Sequence, residues 1–357
     1  MKKKVMVGMS GGVDSSVAAA ILQKEGYDVI GVTLKLQPEI ESDTGSDVTC
    51  CSYSAVEDAR RVASKLGIPH YVLNFQNIFE SCVIEYFVAE YGKGRTPNPC
   101  IACNRYIKFG ALLDKAESMG IDYVATGHYA RIEYDKQKNR YLLKKSVTGK
   151  KDQTYVLYNL KQYQLQRTLM PIGSYDKDKV RDIAYELGFD VANKPDSQEI
   201  CFIPDNNYAG FISNKLSKPA AKGKFVDING NVLGDHKGLI HYTVGQRKGL
   251  GLSFGKPMYV VKIDAENNTV ILGEEKDVYS ASLMAFDINW IAIDSLNKPL
   301  RVNAKIRYSA NEAESVITPA EGGKVRVDFD KPQRAVTPGQ SVVFYDGDVV
   351  IGGGIIE

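Results

Sequence analysis

Two groups of residues in this 357-residue chain have the types and spacing to do chemistry. The first is Ser10-Gly11-Gly12-Val13-Asp14-Ser15-Ser16, reached through Gly8 and Met9. The two glycines allow positive φ and close backbone approach, while Ser15 and Ser16 start a helix whose unpaired N–H groups face an anion. That arrangement is a phosphate cradle, with an ordinary glycine turn and serine cap as the bland alternative. It is not the loop that holds a lysine over phosphates, because no Gly-Lys-Ser/Thr follows, and it is not the dinucleotide fingerprint. The second group is sulfur. Cys100 and Cys103 lie in Gly94-Arg95-Thr96-Pro97-Asn98-Pro99-Cys100-Ile101-Ala102-Cys103-Asn104, and Cys201 ends Ser197-Gln198-Glu199-Ile200-Cys201. Pro97 and Pro99 stiffen the first stretch into an exposed loop. Cys103 then falls beside the start of the next helix, whose positive end, with Arg95 and Arg105 near in sequence, favours thiolate. Cys82, among Ile78, Phe79 and Tyr86, reads as core.

The elements that must position these groups alternate. Strands over Val5 to Met9, Val29 to Leu36, Tyr71 to Phe75 and Tyr123 to Thr126 are separated by helices over Ser16 to Glu25, Ala55 to Leu66, Ile78 to Tyr91 and Tyr106 to Met119. A later helix runs from Asp178 to Leu187. Gly26, Gly67, Gly120 and Gly188 stand where helices should end. The pattern predicts an α/β fold with a doubly wound parallel sheet of Rossmann-like form. Ligands on such a sheet bind at the carboxyl ends of the strands, where the cradle, Leu34 and Thr126-Gly127-His128 all fall. Leu34 and Gly127 would flank an adenine, unless the first is sheet core and the second a turn glycine. The segment from Gln37 to Ser54, closing on Cys50-Cys51-Ser52, is a polar excursion beside the site. A basic hairpin-like stretch follows from Tyr134 to Lys151. Beyond about residue 205 short, glycine-punctuated strands predict a small β-rich domain between Lys222 and Gly273, then a β-barrel from Ala285 to Glu357. The expected domains are 1–204, 205–277 and 278–357.

Composition bounds the reading. Lys plus Arg total 45 against 43 for Asp plus Glu, a net charge of +2, so nucleic-acid binding has to come from local patches. No signal-peptide core and no apolar run of about 20 residues is present, which predicts a cytoplasmic protein without a membrane partner. Six cysteines in a reducing compartment point to catalysis or metal binding rather than structural disulfides.

The cradle resembles the SGGxDSS loop of the PP-loop ATP pyrophosphatases, which split ATP into AMP and pyrophosphate. That resemblance implies ATP binding by Gly8, Met9, Ser10, Gly11, Gly12, Val13, Asp14, Ser15 and Ser16, with Leu34 and Gly127 at the nucleotide and Asp14 acting through Mg2+. Eight strings in order (SGGVDSS, CCS, GRTPNPCIACNRYIKF, ATGHYAR, KDQTYVLY, KPDSQEICFI, HYTVGQRKGLGL and TPGQ) make the whole chain similar to the tRNA-specific 2-thiouridylase, or MnmA, family. The family implies thiolation of carbon 2 of the wobble uridine. A carbonyl oxygen is a poor leaving group, so ATP adenylates it and AMP departs when sulfur attacks. By resemblance, Cys201 carries the sulfur as a persulfide and Cys103 resolves it, leaving a disulfide to be reduced. A cysteine desulfurase or sulfur-relay protein would be the donor.

The resemblance also implies that Asn98, Pro99 and Cys100 border the flipped-out uridine. His128, Lys151, Asp152, Gln153, Arg307, Tyr308 and Gln340 match positions that touch tRNA, though His128 could equally be a hydrogen-bonded structural histidine. Gly245-Gln246-Arg247-Lys248-Gly249 is either a further RNA contact or a solvated turn. Many family members have aspartate where this chain has Cys100. Cys100, Cys103 and Cys201 together would suit a 4Fe-4S cluster with one open iron, an alternative to the persulfide route. Structural zinc lacks a fourth ligand unless Cys50 or Cys51 supplies it, and those two cysteines could instead assist sulfur delivery or form a structural turn. Two rival readings stand: a ligase that adenylates a small molecule for attack by ammonia, as in GMP synthetase, and a non-catalytic tRNA-binding protein with a vestigial nucleotide site.

Overall fold

The computed structural model describes residues 2–37, 53–195, 200–216, 220–253 and 255–357. Most of the polar excursion, with Cys50 and Cys51, lies outside the described residues, as do Ser197, Gln198 and Glu199. The chain divides into two units: Met1–Val83, Cys100–Asn206 and Asp348–Val350 form the first, and Ile84–Pro99, Asn207–Gly347 and Ile351–Glu357 the second.

In the first unit β1 (Lys4–Gly8), α1 (Val13–Lys24), β2 (Asp28–Lys35), α2 (Tyr53–Leu66), β3 (His70–Asn74) and α3 (Gln76–Phe79) alternate. The chain gives the second unit a helix, α4 (Glu85–Gly92). It returns with α5 (Pro99–Ala102), a π-helical stretch (Cys103–Ala111), α6 (Leu112–Ser118) and β4 (Tyr123–Ala125). The hairpin β5 (Ala130–Asp135) and β6 (Arg140–Lys145) precedes α7 (Gln162–Gln166), β7 (Thr168–Leu169) and α8 (Lys177–Glu186).

The sheet runs β3-β2-β1-β4-β7 with every neighbouring pair parallel. Side chains alternate along the central strand, and each face meets different helices. Val5 and Val7 pack with Val17, Ala18 and Ala19 of α1 and Val180 and Ala184 of α8. Met6 turns to Leu112, Leu113 and Ala116 of α6. Burial on both faces explains why β1 reads as an unbroken apolar run, and each such side chain contributes about 1.5–3 kcal/mol. The doubly wound parallel sheet expected from the sequence is therefore the one observed. Its order reverses at β1, with β2 on one side and β4 on the other, so the carboxyl ends of β1 and β4 open the crevice where such sheets bind ligands.

Element boundaries differ informatively. Helix α1 begins at Val13, not Ser16, with extended Gly12 as its N-cap residue. The helix expected over Ile78 to Tyr91 is α3, a π-helical turn (Glu80–Ile84) and α4. The helix expected from Tyr106 starts instead at Pro99, because proline suits the first helical position, where its missing N–H leaves nothing unpaired. Cys103 therefore lies one turn inside a helical run, and Cys100 sits in its first turn. Gly26, Gly67, Gly120 and Gly188 do end helices, at φ of 91°, 65°, 67° and 64°.

The second unit continues through α9 (Tyr208–Lys215) and then β8 (Gly223–Asp227), β9 (Val232–His236), β10 (Tyr259–Asp264) and β11 (Thr269–Gly273), which form a sheet ordered β10-β11-β8-β9. The expected turns appear, with Gly230 at φ 87° and Asn268 at φ 48°. Six strands follow: β12 (Tyr279–Trp290), β13 (Leu300–Lys305), β14 (Ala313–Pro319), β15 (Val325–Arg334), β16 (Ser341–Asp346) and β17 (Val349–Ile356). They run β12-β15-β14-β13-β16-β17 and close where β12 pairs with β17, so the predicted barrel is present and has no free edge.

Candidate functional site

The cradle leaves the sheet from a fixed point. The Met9 N–H donates to the Val32 carbonyl at 2.7 Å, and the Met9 carbonyl accepts from Thr33 Oγ1 at 2.8 Å. Gly11 has φ 68°, and a Cβ there would lie 2.3 Å from the Ala55 carbonyl oxygen, so no other residue fits. Ser15 Oγ accepts from the Ser10 N–H at 3.1 Å and donates to the Gly12 carbonyl at 3.2 Å, while Ser16 Oγ donates to the same carbonyl at 2.9 Å. The hydroxyls thus shape the loop at the start of α1. Gly127 has its own reason to be glycine: a Cβ would lie 2.6 Å from both the Asp14 carbonyl carbon and the Ser15 nitrogen. It lets the end of β4 rest on the start of α1. Leu34 packs against the cluster on the α6 face of the sheet, the bland alternative for that residue.

Asp14, in the first turn of α1, is the electrostatic centre. Lys177 Nζ lies 2.9 Å from Asp14 Oδ1 and 2.9 Å from Oδ2, and Tyr129 OH donates to Oδ1 at 2.7 Å. Lys177 is 9 % exposed and Tyr129 is 3 % exposed, so both groups are set by packing rather than by solvent. Gln153 braces the tyrosine: its Oε1 accepts from the Tyr129 N–H at 2.9 Å and its own N–H donates to the Tyr129 carbonyl at 3.0 Å. A second lysine, Lys194, reaches Asp58 Oδ2 at 2.7 Å and the Gly11 carbonyl at 3.4 Å. Sequence reasoning singled out neither lysine and not Tyr129. Tyr129 and Lys194 fall inside strings already noted, ATGHYAR and KPDSQEICFI. Lys177 belongs to none of them and sits 163 positions from Asp14.

The donor set can be tested against the metals that the sequence suggested. Mg2+ is usually held by one or two carboxylates, with substrate phosphates and water filling its other positions. Asp14 offers a single carboxylate, which fits an ion that brings its other ligands as phosphates, but both of its oxygens are here engaged by Lys177. For the iron–sulfur cluster, no group of three or more His, Cys, Asp and Glu able to hold a metal ion is found among the described residues.

What the fold does for Cys103 and Cys201 is bring their segments to one short helix. The stretch that Cys103 opens packs against α3. Phe202, next to Cys201, sets its ring 5.8 Å from that of Phe79 at the end of α3. Cys103 and Cys201 are both half-buried, and Cys100 is exposed. Asn104 anchors the stretch through Nδ2, which donates to the Val156 carbonyl at 2.9 Å. Cys82 is half-buried, not core.

Several residues expected at RNA have other work inside their own unit. His128 is 8 % exposed, has Nδ1 2.7 Å from Thr126 Oγ1 and lies beside the Phe109 ring. Asp152 accepts from the Ser146 N–H at 3.2 Å and from Thr154 Oγ1 at 2.6 Å. The Arg307 guanidinium donates to the Val244 and Ala335 carbonyls and to Thr337 Oγ1. Gln340 Nε2 donates to the Thr96 carbonyl at 2.8 Å, and the Thr96 N–H donates to the Pro338 carbonyl at 2.9 Å, which ties the chain leading to Asn98 and Pro99 to the barrel loop. Lys151 and Asn98 are half-buried and Pro99 is buried. Tyr308 is presented outward, 46 % exposed, with Lys305 Nζ 5.7 Å from its ring centre.

Burial has a consequence for acid stability. The chain has four histidines, and desolvation is the first cause lowering the pKa of all of them: His70, His236, His241 and, well below 6.5, His128. Unfolded, each takes its proton near 6.5. Between that value and the lower folded one, the unfolded chain binds more protons, so stability is full above about pH 6.5 and falls as pH drops through that window. The urea midpoint should be lower at pH 5.5 than at pH 7.5, and His128→Asn should narrow the gap; equal midpoints in the wild-type protein would contradict this account.

Comparison with known proteins agrees across the whole chain. The family model described as "tRNA methyl transferase HUP domain" matches residues 3–205, the one described as "tRNA methyl transferase PRC-barrel domain" matches 209–274, and "Aminomethyltransferase beta-barrel domain" matches 280–356. A protein of Acetivibrio thermocellus named tRNA-specific 2-thiouridylase MnmA is 67 % identical over 357 residues, covering 100 % of this chain and 99 % of its own. Its namesake in Clostridioides difficile is 59 % identical over 360 residues, again covering 100 % and 99 %. One in Clostridium botulinum, MnmA 1, is 60 % identical with full coverage of both chains. With its parallel sheet, its glycine cradle and this likeness from end to end, the chain belongs to the tRNA-specific 2-thiouridylase (MnmA) family.

Proposed function

We propose that this protein is an ATP-dependent tRNA uridine 2-sulfurtransferase that adenylates O2 of the wobble uridine and replaces that oxygen with sulfur delivered through Cys201 and Cys103. The observation that carries the reading is Asp14 with Lys177 and Tyr129 at the carboxyl end of β1, an arrangement suited to a polyphosphate, in a chain of this family. The uridine oxygen attacks the α-phosphorus and pyrophosphate leaves, received by the N–H groups at the start of α1. Mg2+ held by Asp14 and the phosphates would neutralise the leaving group's charge. The terminal sulfur of a persulfide on Cys201 then attacks C2, and the C2–O bond breaks as AMP departs. The Cys103 thiolate attacks Cys201 Sγ, breaking the S–S bond and leaving sulfur on C2. The two thiols end as a disulfide, which an external dithiol reduces.

The packing of both cysteine segments around α3 supports this division of labour, and exposed Tyr308 beside Lys305 suits stacking on an RNA base. Leu34, Gly127, Asn98, Pro99 and Cys100 keep their proposed places at the adenine and the target base. Gln153, Asp152, Arg307, Gln340 and His128 act on this reading by holding the surfaces that RNA meets. Among the described residues no helix is long and apolar enough to cross a membrane, and a tRNA substrate would suit a cytoplasmic enzyme. The donor would be of the desulfurase or sulfur-relay class.

The test is to incubate anaerobically purified protein with tRNA, ATP and a persulfide donor. AMP, pyrophosphate and 2-thiouridine should form in equal amounts, with no pyrophosphate when tRNA is omitted. Thiolation that requires bound iron would replace the cysteine route by a cluster. A methylated uridine would favour the chemistry named in the family-model descriptions instead.

A further inference from the structure

Lys177 lies outside every string that marks the family, yet it makes the closest charged contact in the cradle. Its ammonium is equidistant, at 2.9 Å, from the two Asp14 oxygens, the same atoms a divalent cation would need. Two cations cannot share one carboxylate in a partly buried site without strong repulsion. We propose that Lys177 makes cation binding at Asp14 conditional on nucleotide: while it sits on Asp14 it blocks the metal, and when ATP enters, its ammonium transfers to the β- and γ-phosphates and releases Asp14 to the ion that the nucleotide carries. This rests on the nucleotide reading above.

Three further features suit that exchange. The root of the side chain is fixed, because Lys177 is the first residue of α8 and Asp176, the N-cap, accepts from the Lys179 N–H at 2.7 Å. The head is a compact charge with three donors on a flexible stem, which can change acceptors without moving the backbone. Asp14 keeps a partner when the lysine leaves, since Tyr129 OH stays on Oδ1 and is itself braced by Gln153. A polyphosphate carries several charges where Asp14 carries one, so the ammonium gains by transferring.

The experiment measures binding directly in the full chain. Mn2+ alone is titrated by electron paramagnetic resonance, and pyrophosphate, a non-hydrolysable ATP analogue and AMP by calorimetry, for wild type, Lys177→Met and Lys177→Gln. Both variants should bind Mn2+ without nucleotide at least about tenfold more tightly, and bind pyrophosphate and the ATP analogue at least about tenfold more weakly, with AMP within about twofold of wild type. Adding Asp14→Asn to either variant should cancel the gain in Mn2+ affinity. A lysine that merely supports the fold would not produce these opposite signs. Unchanged Mn2+ affinity, or unchanged affinity for pyrophosphate and the ATP analogue, would overturn the proposal. A wild-type protein that binds neither pyrophosphate nor the analogue would instead remove the nucleotide reading, and this proposal with it.

Discussion

Cys201→Ser should stop tRNA thiolation, by at least about a thousandfold, while tRNA-dependent pyrophosphate release stays within about threefold of wild type. The separation follows from where the groups stand. On the proposed mechanism, adenylation draws on the cradle and Asp14, and sulfur transfer on the turn that carries Cys201. Serine is nearly isosteric but cannot hold a persulfide, and because Phe202 rather than Cys201 provides the ring contact to Phe79, the turn should survive the change. Thiolated uridine is counted by mass spectrometry of digested tRNA, with pyrophosphate followed in the same reaction. Cys103→Ser should differ in kind: a persulfide on Cys201 should accumulate because nothing resolves it. Full thiolation by Cys201→Ser would remove the cysteine pair from the mechanism.

The second large effect belongs to Asp14. Asp14→Ala should lower pyrophosphate release by at least about a thousandfold, with tRNA affinity within about twofold of wild type. The substitution also leaves the Lys177 ammonium, 9 % exposed, without its carboxylate, which costs about 1–3 kcal/mol. Asp14→Asn separates the two consequences. It keeps an oxygen acceptor for Tyr129 OH and should recover part of the stability, read from urea unfolding, without recovering catalysis. Wild-type pyrophosphate release by either variant would dismiss the role given to the loop.

Composition, periodicity and glycine placement were enough to determine the doubly wound sheet, the barrel and the glycine turn that follows β1. The reason is physical: a central strand buried on both faces has to be apolar throughout, and a backbone turned to positive φ at Gly11 against Ala55 admits one residue type. Boundaries were less legible. The two prolines around Asn98 suggested a loop, yet Pro99 opens a helix, since proline is unfavourable inside a helix but favourable as its first residue. Chain order alone cannot tell those cases apart.

The tertiary structure alone decided which partners a polar residue has. Gln153, Gln340 and Arg307 are polar in sequence, and only the fold shows that they brace Tyr129, Thr96 and the Val244, Ala335 and Thr337 segment. His128 is buried against Thr126 and Phe109. Lys177 carries no local signal at all, because a lone lysine at the start of a helix is ordinary until α8 packs beside α1 and sets its ammonium on Asp14. Local sequence determines what the backbone can do at each point; which charges meet across 163 positions depends on how the helices pack.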